Sequence, residues 1–299
     1  ASGITRRRPT ASGRMFARAQ ASGYGLSYGL NMMLDTQQFQ FNQNARRQSI
    51  NQIDLSVQYK WLETDVGTVS PRLSQYSLNG ISLKGGYIKL TPGKWRFTYT
   101  GGVAQRAVEP DTSSISSTAP TTGTAGPSPR IGRGEGAFQR WVHAARIGYG
   151  ELSGTYIDVI GLYGTDDTTS LNTPGDLAPV SNTNVSAVGG FRLLGGRVRL
   201  EGQLTASGLV SDTRAPRTNA SPGLLYDIGL MQARVGSQMN YAGRLSTILN
   251  LLKRGQLRVN YERIQPGYRS VGLSHLRSDQ EVIRLSPRVE FFQGTLRQD

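Results

Sequence analysis

The 299-residue chain has no cysteine, only two histidines and no long apolar run. Without cysteine there are no disulfides, thiolate nucleophiles or thiolate metal sites, although the compartment stays open. His143 and His275 are too few for an ordinary imidazole-rich metal centre. A spanning helix needs roughly 18 consecutive apolar residues, so a helical membrane protein is excluded. The 37 glycines disfavour long helices. The start Ala1-Ser2-Gly3 has neither an initiator Met nor the apolar h-region of a signal peptide, so a mature chain or a piece of a longer one is expected.

A hydrophobic content of 37% and a mean hydropathy of −0.38 resemble those of a soluble protein. A β-barrel, however, needs only one apolar side chain in two. The net charge of +14 suggests nucleic acid as one partner class. The arginines stand singly through alternating segments, and the one cluster, Arg6-Arg7-Arg8, sits in a Pro/Ser/Gly-containing terminus. No nucleic-acid partner is therefore expected.

What the chain does contain is one repeated figure. An alternating segment meets a tight turn, a second alternating segment follows, and a long polar loop leads onward. The clearest example is 80–90, the turn Thr91-Pro92-Gly93, then 94–108 and the loop 109–136. Ile53, Leu55, Val57, Tyr59 and Trp61 alternate with Asp54, Ser56, Gln58 and Lys60, as expected for a strand with one apolar and one wet face. Met239, Tyr241, Gly243, Leu245, Thr247, Leu249 and Leu251 hold one phase for thirteen residues, long for a soluble strand. The pattern predicts twelve strands, at 23–36, 49–61, 64–70, 80–90, 93–108, 138–149, 153–164, 183–194, 197–211, 234–252, 256–264 and 281–292. The fold class expected is all-β: an antiparallel transmembrane β-barrel of about 12 or more strands, with short turns on one side and long loops on the other. Residues 1–22 read as a basic N-terminal extension or junction and 23–299 as the barrel. Gly294-Thr295-Leu296-Arg297 reads as a turn into a further strand, so the pattern stops midway. The apolar patch from Leu224-Leu225-Tyr226 to Met231 reads as a short helix or an in-folded plug.

Trp61, Trp95, Tyr149, Tyr156, Phe291 and Phe292 fall near proposed short turns and are expected to form a girdle at one membrane interface. The opposite phase supplies the lumen-lining candidates Arg96, Arg197, Arg199, Glu201, Gln203, Arg258, Asn260 and Glu262, joined by Arg106, Arg140, Arg146 and Arg284. A charge on the lipid face costs roughly 2–4 kcal/mol at the midplane, which turns these residues inward. A positive lumen favours anions. The blander reading is a lumen of mutually satisfying Arg–Glu pairs, and it is preferred because Glu201 and Glu262 stand in step with arginines.

No catalytic arrangement is evident. His143 shares a strand phase with Trp141 and Ala145, as a packed or interfacial histidine would, and His275 sits in a loop beside Arg277. Asp111 and Asp166-Asp167 lack the dense Asp/Asn/Gly spacing of a calcium loop. Gly132-Arg133-Gly134-Glu135-Gly136 precedes a strand, not the helix a phosphate loop requires. No catalytic residue, cofactor or metal is expected.

Two stretches, Ser77-Leu78-Asn79-Gly80 with Leu90-Thr91-Pro92-Gly93-Lys94-Trp95-Arg96-Phe97 and Pro266-Gly267-Tyr268-Arg269-Ser270-Val271-Gly272-Leu273, carry a likeness beyond the general pattern. Together with Arg199-Leu200-Glu201-Gly202 they resemble predicted outer-membrane β-barrel proteins of Bacteroidota and relatives. The resemblance implies a bacterial outer-membrane location and a longer chain, but no activity. The partners expected are outer-membrane lipid and other envelope proteins met through the long loops. The function expected is a channel for small polar or anionic solutes, or a membrane scaffold for envelope components. The alternatives are an outer-membrane enzyme of lipase or protease type and a soluble β-sandwich or adhesin.

Overall fold

A computed structural model describes residues 13–35, 52–110, 136–252 and 255–289. Arg6–Arg8, Asp111, the Gly132–Gly134 repeat, Phe291, Phe292 and residues 294–297 lie outside these. The long strands are β1 (Arg14–Gly23), β2 (Leu26–Asp35), β3 (Gln52–Tyr59), β4 (Leu62–Val69), β6 (Leu83–Leu90), β7 (Trp95–Gln105), β8 (Gln139–Gly150), β9 (Tyr156–Asp167), β10 (Ser181–Leu193), β11 (Val198–Val210), β12 (Gln238–Leu252), β13 (Gly255–Ile264) and β15 (Gln280–Val289). They form one sheet in chain order, each antiparallel to the next. Among the described residues β1 and β15 are its edges. Two short strands, β5 (Leu78–Asn79) and β14 (Gly272–Leu273), pair with each other in parallel.

All twelve expected strands are present, and β1 is a thirteenth. It begins at Arg14, inside the stretch expected to be an extension, so the sheet starts earlier than its hydrophobic pattern suggests. Its outward phase is Met15, Ala17, Ala19, Ala21 and Gly23, with the large apolar Phe16 in the opposite phase, which is too little contrast for alternation to register. The short segment before Pro71 is a full strand, β4, entered through a turn in which Lys60 takes φ 45°.

The two faces of the sheet invert the usual arrangement of a soluble protein. Leu30, Leu55, Val66, Ile88, Phe97, Ile147, Ile157, Leu204, Leu245 and Ile283 are all exposed on one face. Thr98, Thr100, Asp158, Asn182, Asn184, Ser186, Gln203, Thr205 and Ser207 are buried on the other. Exposed apolar surface on this scale has to be covered by something, and acyl chains fit a wall whose reverse is polar. On β8 the outward phase runs from Tyr149 at the short-turn end to Trp141, eight residues or about 26 Å of strand at about 3.3 Å per residue. Tilted as barrel strands are, that length is comparable to the apolar band of about 25 Å that such proteins present. The fold is thus all-β, its large sheet wholly antiparallel, of the transmembrane-barrel type.

Candidate functional site

The concave face is not empty. Segments 70–82 and 265–276, both connections at the long-loop end, turn inward and meet at the β5–β14 pair. Tyr268 Oη donates to the Tyr76 carbonyl at 2.6 Å and Ser270 Oγ to the Ser77 carbonyl at 2.6 Å. The wall then grips the pair. Tyr76 Oη donates to Glu262 on β13 at 2.7 Å, Gln203 Nε2 on β11 to Ser74 Oγ at 2.5 Å, and Asn184 Nδ2 on β10 to Ser270 Oγ at 2.5 Å. Val271 N donates to Asn182 Oδ1 at 3.0 Å, and Arg146 on β8 donates to the Leu73 carbonyl.

Apolar packing completes the plug. Leu73 and Leu78 join Val69, Leu83, Val142, Ala144, Ile160 and Leu162 in one buried cluster. Tyr76 and Tyr268 join Ala242 and Ile264 in a second. The approach is close enough to require glycine. A Cβ on Gly272 would stand 2.2 Å from the Ser77 carbonyl oxygen, and one on Gly164 of β9 would stand 2.3 Å from Val271 Cγ2. Because the plug touches both β4 and β13, the sheet between them must curl around it. Burial first, and then the hydrogen bond to Glu262, hold the Tyr76 hydroxyl above the ordinary tyrosine range. Burial and then Tyr76 do the same for Tyr268.

Toward the short turns the inner wall carries charge pairs. Arg96 and Asp158 meet at 2.6 Å with both side chains largely buried, Lys89 and Glu63 at 2.8 Å, and Arg199 and Glu201 at 2.5 Å. Arg258, Asn260 and Glu262 share the inward phase of β13, beside Arg284 on β15. At the long-loop mouth a cavity of about 900 Å³ is lined by Lys84, Arg106, Phe138, Arg140, Ser274 and His275 among others. There Arg140 grips Asp166 through two nitrogens, at 2.6 and 3.0 Å.

Seven of the eight named lumen candidates therefore lie along the inner phase of the wall. Arg197 does not: it is exposed in the turn after Leu194–Gly196, where Asn250 N donates to its carbonyl. Trp61, Trp95 and Tyr149 are exposed on the outer face at the short-turn end, the last two with ring centroids 4.9 Å apart. Tyr156 departs from that expected girdle. It shares the phase of Asp158, lies 5.6 Å under the Arg96 guanidinium, and covers Gly190, where a Cβ would meet its ring at 2.4 Å. Being near a turn did not determine its face; parity along the strand did. His143 faces outward, 2.9 Å from Tyr99 Oη and stacked against Trp141. Among the described residues no group of three or more His, Asp or Glu side chains is placed to hold a metal ion.

The segment 212–237 contains the expected short helix, α1 (Leu224–Asp227), but it does not plug the lumen. Leu225, Tyr226 and Met231 pack over Gly208, an outward position of β11, so the segment lies on the outer wall. The plug residues that make these contacts are the uncharged Ser74, Tyr76, Ser77, Tyr268 and Ser270 with Leu73 and Leu78, which a search for charged lumen residues passes over. A signal was nonetheless present: Ser77–Gly80 and Pro266–Leu273, two of the patches that carry the family resemblance, are parts of the segments that meet inside.

No family model and no curated protein matches the chain. Among solved structures it is similar to OccK2 (OpdF) of Pseudomonas aeruginosa in complex with glucuronate, with TM-score 0.40 and 9% identity over 84% of this chain and 57% of that one. The chain thus spans little more than half the length of that protein. It is also similar to in-vitro folded OmpT, an outer membrane protein of Vibrio cholerae, with TM-score 0.39 and 12% identity over 93% of this chain and 85% of that one. A mutant porin of Rh. blastica gives TM-score 0.27 and 9% identity, covering 84% of each chain. Likeness at this level carries no argument about solute, partner or activity, and the barrel reading rests on the segregated faces.

Proposed function

We propose that the chain forms the wall of a β-barrel in a bacterial outer membrane, occluded by its own loops, and that it serves as a non-enzymatic scaffold for envelope components. The observation that carries this reading is the plug: Tyr76, Ser77 and Leu78 are fully buried inside the wall. A solute would have to displace two apolar clusters and the hydrogen bonds that tie the plug to β8, β10, β11 and β13. A second reading, a channel for small anionic solutes, is favoured by the turn-side wall, where Arg258 and Arg284 add positive charge beyond the acid pairs. Single-channel recording in planar bilayers separates the two. The scaffold reading expects silence from the unaltered protein and conducting steps after deletion of residues 71–79. Stable anion-selective steps from the unaltered protein would overturn it in favour of the channel.

A further inference from the structure

The outer wall carries a feature that the occluded lumen does not explain. Segment 212–237 packs one side against β11 and β12, yet its other side presents Leu224, Ile228, Leu230 and Val235 at 55, 58, 52 and 61% exposure. Beside it runs a groove of about 300 Å³, lined by Tyr163, Val210, Leu230, Met231 and Arg234 among others. Tyr163 and Val210 are outward positions of β9 and β11, so the groove opens on the same side as the apolar belt and continues it. Its volume suits part of one acyl chain rather than a whole lipid.

Charge sits at the upper rim. Arg217 and Arg234 stand opposite each other in an antiparallel bridge. Arg214 is neutralised by Asp212 at 3.2 Å, whereas neither Arg217 nor Arg234 has an acidic partner within salt-bridge distance among the described residues. Arg234 lines the groove and donates one nitrogen to the Ala215 carbonyl at 2.7 Å, with Asp212 further off in its field. Two guanidiniums without a salt-bridged carboxylate beside an apolar slot match a molecule with a phosphate at one end and hydrocarbon at the other. The geometry points to a binding site on the outer wall for a phosphorylated amphiphile of the leaflet at the long-loop end. One acyl chain lies against Tyr163, Val210, Leu230 and Met231, and the phosphate lies against Arg217 and Arg234. Leu224, Ile228 and Val235 dip into the same leaflet and hold the segment down. The inference rests on the sheet being a barrel wall, not on whether its lumen conducts.

The absence of native cysteine makes the test direct. A nitroxide on Ile228→Cys, in vesicles of phosphatidylcholine and phosphatidylglycerol, should be accessible to oxygen and shielded from a water-soluble nickel relaxant. The same label on Asp176→Cys, in an exposed loop, gives the aqueous reference. A water-exposed label at 228 would overturn the site and leave the patch for a soluble protein partner. In the second arm, native mass spectrometry compares retention of phosphatidylglycerol, lipid A and unphosphorylated diacylglycerol. The phosphorylated pair should be retained in preference, and their ratio tells phospholipid from phosphoglycolipid. R217Q/R234Q should weaken retention roughly thirtyfold, since each basic residue near an anionic surface contributes about 1 kcal/mol. R217Q, which touches no described hydrogen bond, should give a share of that loss even if the double variant folds poorly. Equal retention of diacylglycerol, or full retention by both variants, would overturn the assignment. A conducting wild-type protein would defeat the scaffold reading and leave this one standing.

Discussion

Two kinds of long connection leave the same end of this sheet and fold in opposite directions. Segments 70–82 and 265–276 turn into the lumen, while 212–237 lies down on the outside. The inward pair offers Ser74, Tyr76, Ser77, Tyr268 and Ser270 to a wall lined with Asn182, Asn184, Gln203 and Glu262. The outward segment offers Leu225, Tyr226 and Met231 to a glycine-floored patch on an apolar face. Each loop settles on the face whose chemistry it matches. A buried polar group is costly unless it is hydrogen-bonded, so a Ser- and Tyr-rich loop gains little on the lipid side and much inside.

This contrast can be broken experimentally, beginning where the effect should be greatest. Tyr268→Ala removes a fully buried ring and the anchor of the Tyr76 carbonyl, and should cost about 3–5 kcal/mol of stability. A drop in the thermal midpoint of the barrel in detergent is the check, and an unchanged midpoint would mean the plug contributes nothing to the wall. Tyr76→Phe deletes only the hydroxyl that donates to Glu262 and should cost about 2 kcal/mol, as hydrogen bonds to charged groups do.

The Tyr76 variant also carries a pH signature. Raised hydroxyl pKa values in the folded state mean stability that is complete below about pH 10, the ordinary tyrosine value, and is lost as pH rises above it. Alkaline melting curves should show that loss in the parent protein and a smaller one in Tyr76→Phe. On the outer wall, Leu225→Ala should cost only about 1 kcal/mol when the surroundings are acyl chains, because no water drives the burial. A loss of about 2–5 kcal/mol, usual for a water-surrounded core, would place that segment outside the lipid.

The mildest effect belongs to a third contact between connections. Glu109 accepts from the Asn172 amide at 2.7 Å and also from Thr173. Chiefly that Asn172 amide bond holds its carboxyl below the ordinary value. The tether is therefore intact above about pH 4.3 and released as pH falls through the range below it. Hydrogen exchange at Asn172 should quicken in acid and in Glu109→Gln, with the thermal midpoint unchanged.

The pattern of the large sheet was legible because alternation is imposed at every second residue by two solvents of opposite character; in it only β1, with three alanines outside, escaped notice, while β5 and β14 are too short to alternate. Strand phase was legible wherever a strand was long, and Arg96, Arg199, Glu201, Gln203, Arg258, Asn260 and Glu262 all take the phase opposite the exposed apolar side chains. Tyr156 and Arg197 were misjudged where a strand meets its turn, because proximity to a turn says nothing about parity. The plug was hidden for a different reason. Its contacts join Tyr76 to Tyr268 and Ser74 to Gln203, and residues so far apart in the chain leave no local periodicity when they meet.

The parallel pair β5–β14 has a kinetic corollary. Its two halves are contributed by the β4–β6 and β13–β15 hairpins, far apart in the described sheet and separated by 192 residues in the case of Tyr76 and Tyr268. Non-local pairings of this span form late and slowly. Until the later hairpin arrives, Leu73, Leu78 and Tyr76 have no complete cluster to enter, and the nascent interior stays hydrated. Insertion of this chain should therefore proceed in two stages, a wall first and a dry centre afterwards, with a transiently leaky intermediate between them.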